Sequence, residues 1–135
     1  MHFHPVNWLS LLVAALSGFV VGSIWYGPLF RNTWMRLTGM TREKGAQASM
    51  PLTFGGAYVL NLAGAVGIAM ITGEQRIGAV CGALVGALPA VFFIAPALGV
   101  NQLFEQRPFR LWLINAGYQV VNFAAMGAVI GAWPR

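Results

Sequence analysis

Apolar residues fill four long tracts of this chain, and the charged residues are confined to the segments between them. The charge-free tracts are residues 1–30, 45–73, 77–104 and 111–134. A helix that crosses a bilayer needs roughly 20 predominantly apolar residues, and every tract exceeds that length. The pattern therefore predicts four membrane-spanning helices, spans 1 to 4, at about residues 6–26, 50–71, 76–98 and 109–133.

The chain changes character directly after span 1. Proline lacks a backbone N–H and disfavours helix in the residue before it, so Pro28 is expected to end the span in a sharp turn, here called the elbow. Phe30, Trp34 and Leu37 then recur at helical spacing, and arginines lie off that stripe. This arrangement predicts a short amphipathic helix at about residues 28–38, lying along the membrane surface.

Composition places the whole chain in a bilayer. Hydrophobic residues make up 58% of the chain and charged residues 8%, whereas a soluble domain is roughly 25% charged. The 135 residues suit one domain. We therefore expect an all-α fold, an integral membrane four-helix bundle with one short interfacial helix, and the lipid bilayer as its main partner.

The net charge of +5 does not indicate a nucleic-acid partner. The few basic residues lie at the ends of apolar tracts, where membrane topology and lipid head groups account for them. Most of them are in the segments after spans 1 and 3. Because basic segments stay on the cytoplasmic side, both termini are expected outside a bacterial-type inner membrane.

Tryptophan spacing agrees with this topology. The separations of Trp8 from Trp25 and of Trp112 from Trp133 correspond to about 26 Å and about 32 Å at helical rise, close to a hydrocarbon thickness of roughly 30 Å. Tryptophan prefers the interface, where its ring is buried and its N–H faces water. Trp25 and Trp112 are thus expected at the inner face.

Small residues recur at every fourth position of span 3, as Gly78, Gly82, Gly86 and Ala90. Such a stripe lets helix backbones approach closely, which favours association where lipid removes the hydrophobic drive. Two interpretations stay open. The stripe packs inside a single bundle, or it forms the interface of a homo-oligomer, a dimer or larger.

Amide side chains mark the interior of spans 2 and 4. Asn115, Gln119 and Asn122 share one face of span 4, and Asn61 lies mid-way along span 2. Uncharged polar groups need partners within hydrocarbon. The amides therefore predict either hydrogen bonds between helices or a polar cavity for a small ligand or ion.

The elbow gathers an unusual set of residue types: Trp25, Tyr26, Pro28 and Trp34. One interpretation is an anchor that holds the chain at the interface. The other is a ligand or partner pocket beneath the elbow on the cytoplasmic side.

Recognised catalytic and metal-binding patterns are missing from the sequence. No acidic or basic residue lies deep within a span. The short four-span multidrug exporters depend on a glutamate in their first span, and this chain has none there. There is no Ser-His-Asp set and no phosphate-cradling loop, so we expect no enzyme activity, catalytic residue or cofactor. His2 and His4 could bind a metal with the terminal amine, but no acidic residue or cysteine accompanies them, and no metal site is predicted.

The order "NWLSLLVAALSGFVVGSIWYGPLFRNTWMRLTG" resembles the start of the DUF1761 membrane proteins. The matching positions are an Asn-Trp pair that opens span 1, a Trp-Tyr-x-Pro elbow and a following Trp-Met pair: Asn7, Trp8, Trp25, Tyr26, Pro28, Trp34 and Met35. The tail "INAGYQVVNFAAMGAVIGAW" is similar to the family's last span. Gly27 departs from the serine expected in many members. The resemblance implies a small multi-span membrane protein and assigns no activity.

These observations favour a non-enzymatic structural or accessory membrane protein that associates with itself, with an unidentified membrane protein as a further potential partner. The alternative is a channel or carrier for a small solute. Its path would be lined by Asn61, Asn115, Gln119 and Asn122.

Overall fold

A computed structural model describes residues 8–39, 50–73 and 77–133. The regular structure of these residues is entirely helical. Four helices are long and apolar enough to cross a membrane, and they define spans 1 to 4: Trp8–Leu29, Pro51–Thr72, Gly78–Phe104 and Phe109–Ala132. The predicted all-α, four-span fold is therefore confirmed. His2 and His4 lie outside the described residues.

A distorted turn joins span 1 to the short helix that follows it, Arg31–Thr38, which is called the surface helix below. The α-helix of span 1 ends at Ile24, and residues Trp25–Leu29 form a π-helical turn, which is the elbow. Gly27 adopts non-helical φ/ψ angles of −96° and −105°, directly before the proline. The surface helix then runs over Arg31–Thr38. It begins later than residue 28 because the elbow itself occupies the first predicted turn.

Span 3 is longer than the sequence pattern predicts. It continues past residue 98, as α-helix over Gly78–Pro89, a π-helical turn at Ala90–Ile94 and α-helix over Ala95–Phe104. Its prolines do not end it. A π-helical turn follows Pro89, and Pro96 occupies the first turn of the helix after it, a position that tolerates proline.

Span 4 is the central element of the bundle and packs against the other three spans. The buried apolar core is small and is contributed by spans 1, 2 and 4: Leu11, Ala14, Ala65, Ile68, Met126 and Ile130. Large apolar side chains such as Leu60 and Phe93 are instead more than 70% exposed, at 74% and 73%. In a bilayer such side chains face lipid at little cost.

The small-residue stripe of span 3 is used inside the chain. A Cβ atom on Gly82 would overlap the carbonyl oxygen of Gly127, and one on Gly86 would overlap that of Phe123. A Cβ atom on Gly131 would likewise overlap the carbonyl oxygen of Gly78. Spans 3 and 4 therefore meet backbone to backbone, which is the first of the two interpretations, and Ala90 is also fully buried.

Self-association stays a prediction, but Gly82 and Gly86 are already occupied by span 4. A dimer interface would have to use another surface. The exposed faces of spans 2 and 3 carry many large apolar side chains, and these suit lipid as well as a second copy.

Candidate ligand pocket

A pocket of about 410 Å³ lies between spans 1 and 2 beside the elbow. It is referred to below as the elbow pocket. Its lining comes from one face of each span, the elbow, the start of the surface helix and one residue of span 4: Phe19, Gly22, Ser23, Tyr26, Gly27, Arg31, Phe54, Ala57, Asn61 and Tyr118.

Helical spacing explains why these residues meet. The span 1 positions run from Phe19 to Tyr26 at intervals of three, one and three, and the span 2 positions run from Phe54 to Asn61 at intervals of three and four. Each set therefore forms one stripe over two turns, about 10 Å long. The two stripes face each other and define an elongated groove.

The groove stays open because small residues occupy its middle. Gly22 and Ala57 present almost no side chain there, and a Cβ on Gly22 would come within 3.3 Å of the Tyr118 hydroxyl. Aromatic rings close the wall, since the Phe19 ring lies 6.1 Å from that of Phe54. It lies 5.8 Å from the ring of Tyr58. The result is a largely apolar groove between the two helices, with aromatic rings in its wall.

Trp25 supports the elbow from the side of span 4. Its indole Nε1 donates a hydrogen bond to the carbonyl oxygen of Ile114 at 2.9 Å. Gly117 makes room for the ring, because a Cβ there would lie 3.0 Å from Cζ2 of the indole. The sequence predicted an N–H facing water at the inner interface, and this detail is wrong because a helix carbonyl takes its place.

Trp112 of span 4 makes the same kind of contact with span 3. Its Nε1 donates to the carbonyl oxygen of Ala95 at 2.8 Å, and a Cβ on Gly99 would lie 3.1 Å from that nitrogen. The predicted contact of this N–H with water is therefore also replaced. Two tryptophans thus tie span 1 to span 4 and span 4 to span 3, each above a glycine.

Tyr26 connects the elbow to the pocket. Its hydroxyl donates to Oδ1 of Asn115 at 2.7 Å. Its ring packs edge-on against Trp34 at 5.9 Å and against Tyr118 at 5.2 Å. Of the residues proposed from the elbow sequence, Tyr26 lines the pocket, and Trp25, Pro28 and Trp34 do not.

The four interior amides are joined to other side chains of the bundle. Nδ2 of Asn122 donates to Oδ1 of Asn61 at 3.1 Å and, at 3.4 Å, to Oε1 of Gln119. Asn122 is fully buried, and Gly18 provides the space for its amide. Asn115 accepts a hydrogen bond from Tyr26. Of the four amides, only Asn61 lines the elbow pocket. The hydrogen-bonding interpretation of these residues accounts for the geometry.

Eight pocket residues were not predicted as site residues from the sequence: Phe19, Gly22, Ser23, Gly27, Arg31, Phe54, Ala57 and Tyr118. Their stripes are readable as helical spacing. What the sequence does not reveal is that spans 1 and 2 turn these particular faces toward each other. The part of the chain that the structure describes contains no group of three or more His, Cys, Asp or Glu that could hold a metal ion.

The fold and the pocket define a small helical membrane protein with a groove between its first two spans. The chain belongs to the DUF1761 family, proteins of unknown function, whose family model matches residues 9–131. This confirms the resemblance to the family. The Trp-Tyr-x-Pro and Trp-Met positions lie within the matched residues, and the Asn-Trp pair lies just before them. No curated protein and no solved structure matches the chain. Membership therefore establishes the family and leaves the activity to be argued from the pocket.

Proposed function

We propose that this protein is a non-enzymatic membrane protein that binds a small, largely apolar molecule in the elbow pocket. The observation that carries the proposal is the pocket itself, about 410 Å³ between spans 1 and 2. Ligand pockets are typically about 300–1,000 Å³, mostly apolar, with a few placed polar groups. The aromatic wall of Phe19 and Phe54 and the polar ends at Arg31 and Asn61 follow that pattern.

The hydrogen bonds that the interior amides already make favour a binding function over transport along a continuous polar path. Asn61 and Asn122 are engaged with each other at 3.1 Å, and Asn115 is engaged by Tyr26. A solute moving along these residues would have to break those bonds in hydrocarbon, where replacements are scarce. A pocket that opens beside the elbow requires no such rearrangement.

We further propose that the elbow lies at the cytoplasmic face of an inner membrane, with both termini outside. The support is the concentration of basic residues after spans 1 and 3. A carboxy-terminal alkaline phosphatase fusion is expected to be active, and a carboxy-terminal fluorescent-protein fusion dark. The opposite pair of results would reverse the orientation.

Filling the pocket tests the proposed function. A diazirine derivative of decanol is photolysed with the protein in phosphatidylcholine nanodiscs, and the labelled residues are mapped by mass spectrometry. Residues 19–26 and 54–61 are expected to carry the most label. Ala57→Phe should reduce that label to the level of the lipid-facing surface, because the new ring occupies the middle of the groove.

The matched control is Ala63→Phe on the same helix. Ala63 is exposed and does not line the pocket, so labelling of residues 19–26 and 54–61 should remain at the wild-type level. Uniform labelling of all lipid-facing segments in the wild type, unaffected by Ala57→Phe, would rule out the pocket as a binding site.

A further inference from the structure

The polar side chains that line the elbow pocket differ in whether the protein already satisfies them. Ser23 Oγ donates to the carbonyl oxygen of Phe19 at 2.9 Å, and Tyr26 donates to Asn115. Asn61 accepts from Asn122 and also interacts with Tyr118. These groups therefore already have hydrogen-bond partners within the bundle and do not need one from a ligand.

Arg31 is the exception among the lining residues. It carries the one formal charge of the lining, and no carboxylate within the described residues pairs with it. The ion pair that these residues do form, Arg107 with Glu105 at 3.6 Å, is elsewhere. A guanidinium offers five donors in a planar fork that suits carboxylate and phosphate, and it is more weakly hydrated than an ammonium group.

The position of Arg31 makes the two ends of the groove differ in charge. The residue opens the surface helix directly after the elbow, so its charge lies at the head-group end of the pocket. Phe19 and Asn61 lie about two helical turns deeper along the spans, with Gly22 and Ala57 in the middle. One end is therefore cationic, and the body between the ends is apolar and aromatic.

We propose that the occupant of the elbow pocket is an anionic amphiphile whose carboxylate or phosphate head binds Arg31 and whose apolar body lies along the wall that Phe19 and Phe54 form. This rests on the proposed function, since it names the class of molecule bound at the same site. An uncharged apolar molecule would fill the groove but would offer no negative charge to the guanidinium. A polar anion lacking an apolar body would pair with Arg31 and leave the aromatic wall unfilled.

The test compares diazirine derivatives of decanoate and decanol, which share a chain and differ in the charge of the head. Both are photolysed in phosphatidylcholine nanodiscs at mildly alkaline pH. The label on residues 19–26 and 54–61 is divided by the label on lipid-facing segments, which corrects for partition into the bilayer. Decanoate is expected to give a roughly fivefold higher ratio than decanol, as an exposed ion pair supplies about 1 kcal/mol.

Variants of two arginines on the surface helix assign the effect. Arg31→Gln should remove the advantage of decanoate and keep the labelling by decanol, and Arg31→Lys should retain part of it. Arg36→Gln is the matched control, because Arg36 is exposed on the same helix and does not line the pocket. The wild-type ratio should persist in that variant.

The outcomes separate the two proposals. Equal labelling by decanoate and decanol, with both lost in Ala57→Phe, would overturn the anionic head and leave the binding function intact. Labelling by neither probe in the pocket would overturn both. Nanodiscs that contain phosphatidylglycerol distinguish the source of the anion. Competition with decanoate identifies a phospholipid head group, and unchanged labelling identifies a soluble single-chain anion.

Discussion

Gly82→Ala is expected to destabilise the protein by about 3 kcal/mol or more, at the upper end of overpacking effects. The added methyl group would overlap the carbonyl oxygen of Gly127. Because this neighbour is backbone on the facing helix, no side-chain rotation relieves the overlap, and spans 3 and 4 must separate. Equilibrium unfolding in detergent, followed by circular dichroism, measures the loss.

The control is Gly55→Ala in span 2. A Cβ on Gly55 meets nothing within 4 Å, and alanine has a higher helix propensity than glycine by about 1 kcal/mol. This variant should unfold at the wild-type midpoint or above it. If Gly82→Ala behaved like Gly55→Ala, the glycine interface between spans 3 and 4 would be wrong.

Asn122→Ala is expected to destabilise the bundle by about 1–2 kcal/mol. The substitution removes the hydrogen bonds to Asn61 and Gln119 and leaves the Asn61 carbonyl oxygen without that donor, within the range for buried unpaired groups. It also removes the unpaired Oδ1 atom of Asn122 itself, which limits the net cost. The measurement is the free energy of unfolding in bicelles.

A double-mutant cycle isolates the pair. Asn61→Ala, Asn122→Ala and the double variant should show a coupling free energy of about 1 kcal/mol, near the range measured for hydrogen bonds between membrane helices. Additive losses would mean that the two amides do not interact.

Asn61→Leu should weaken decanol labelling of the pocket less than Ala57→Phe does, since Asn61 lies at the end of the groove and Ala57 in its middle.

The spans were predictable because charge and hydropathy report them directly. The elbow was also predictable, since Pro28 cannot continue a regular helix. The length of span 3 was not. The span was predicted to end at about residue 98, yet Pro96 occupies the first turn of an α-helix that continues to Phe104, after a π-helical turn that the apolar pattern does not indicate.

The pocket was predictable in part. The elbow residues and Asn61 were proposed as parts of two separate sites. In the structure, Tyr26 and Asn61 line the same pocket. The sequence specifies which residues share a helix face, but it does not specify which faces meet. The same gap explains the stripe of span 3, where Gly82 was equally compatible with a second copy and with span 4.

Tryptophan hydrogen bonds were missed for a related reason. Trp25 and Trp112 have the spacing of interfacial residues, and that spacing says nothing about the partner of the indole N–H. The signal lay in other helices, at Gly117 and Gly99, whose missing side chains admit the rings. Such pairs become recognisable only once the neighbouring helix is known.

The central claim is that the groove between spans 1 and 2 holds a ligand, and nuclear Overhauser contacts test it most directly. Protonated decanol is added to methyl-labelled protein in nanodiscs of deuterated lipid, so that every intermolecular contact comes from the probe. Strong contacts to the Ala57 methyl group, and weak contacts to the exposed Ala63 methyl group, are predicted. Equal contacts to both alanines would contradict the account, because the probe would then be dispersed in the bilayer.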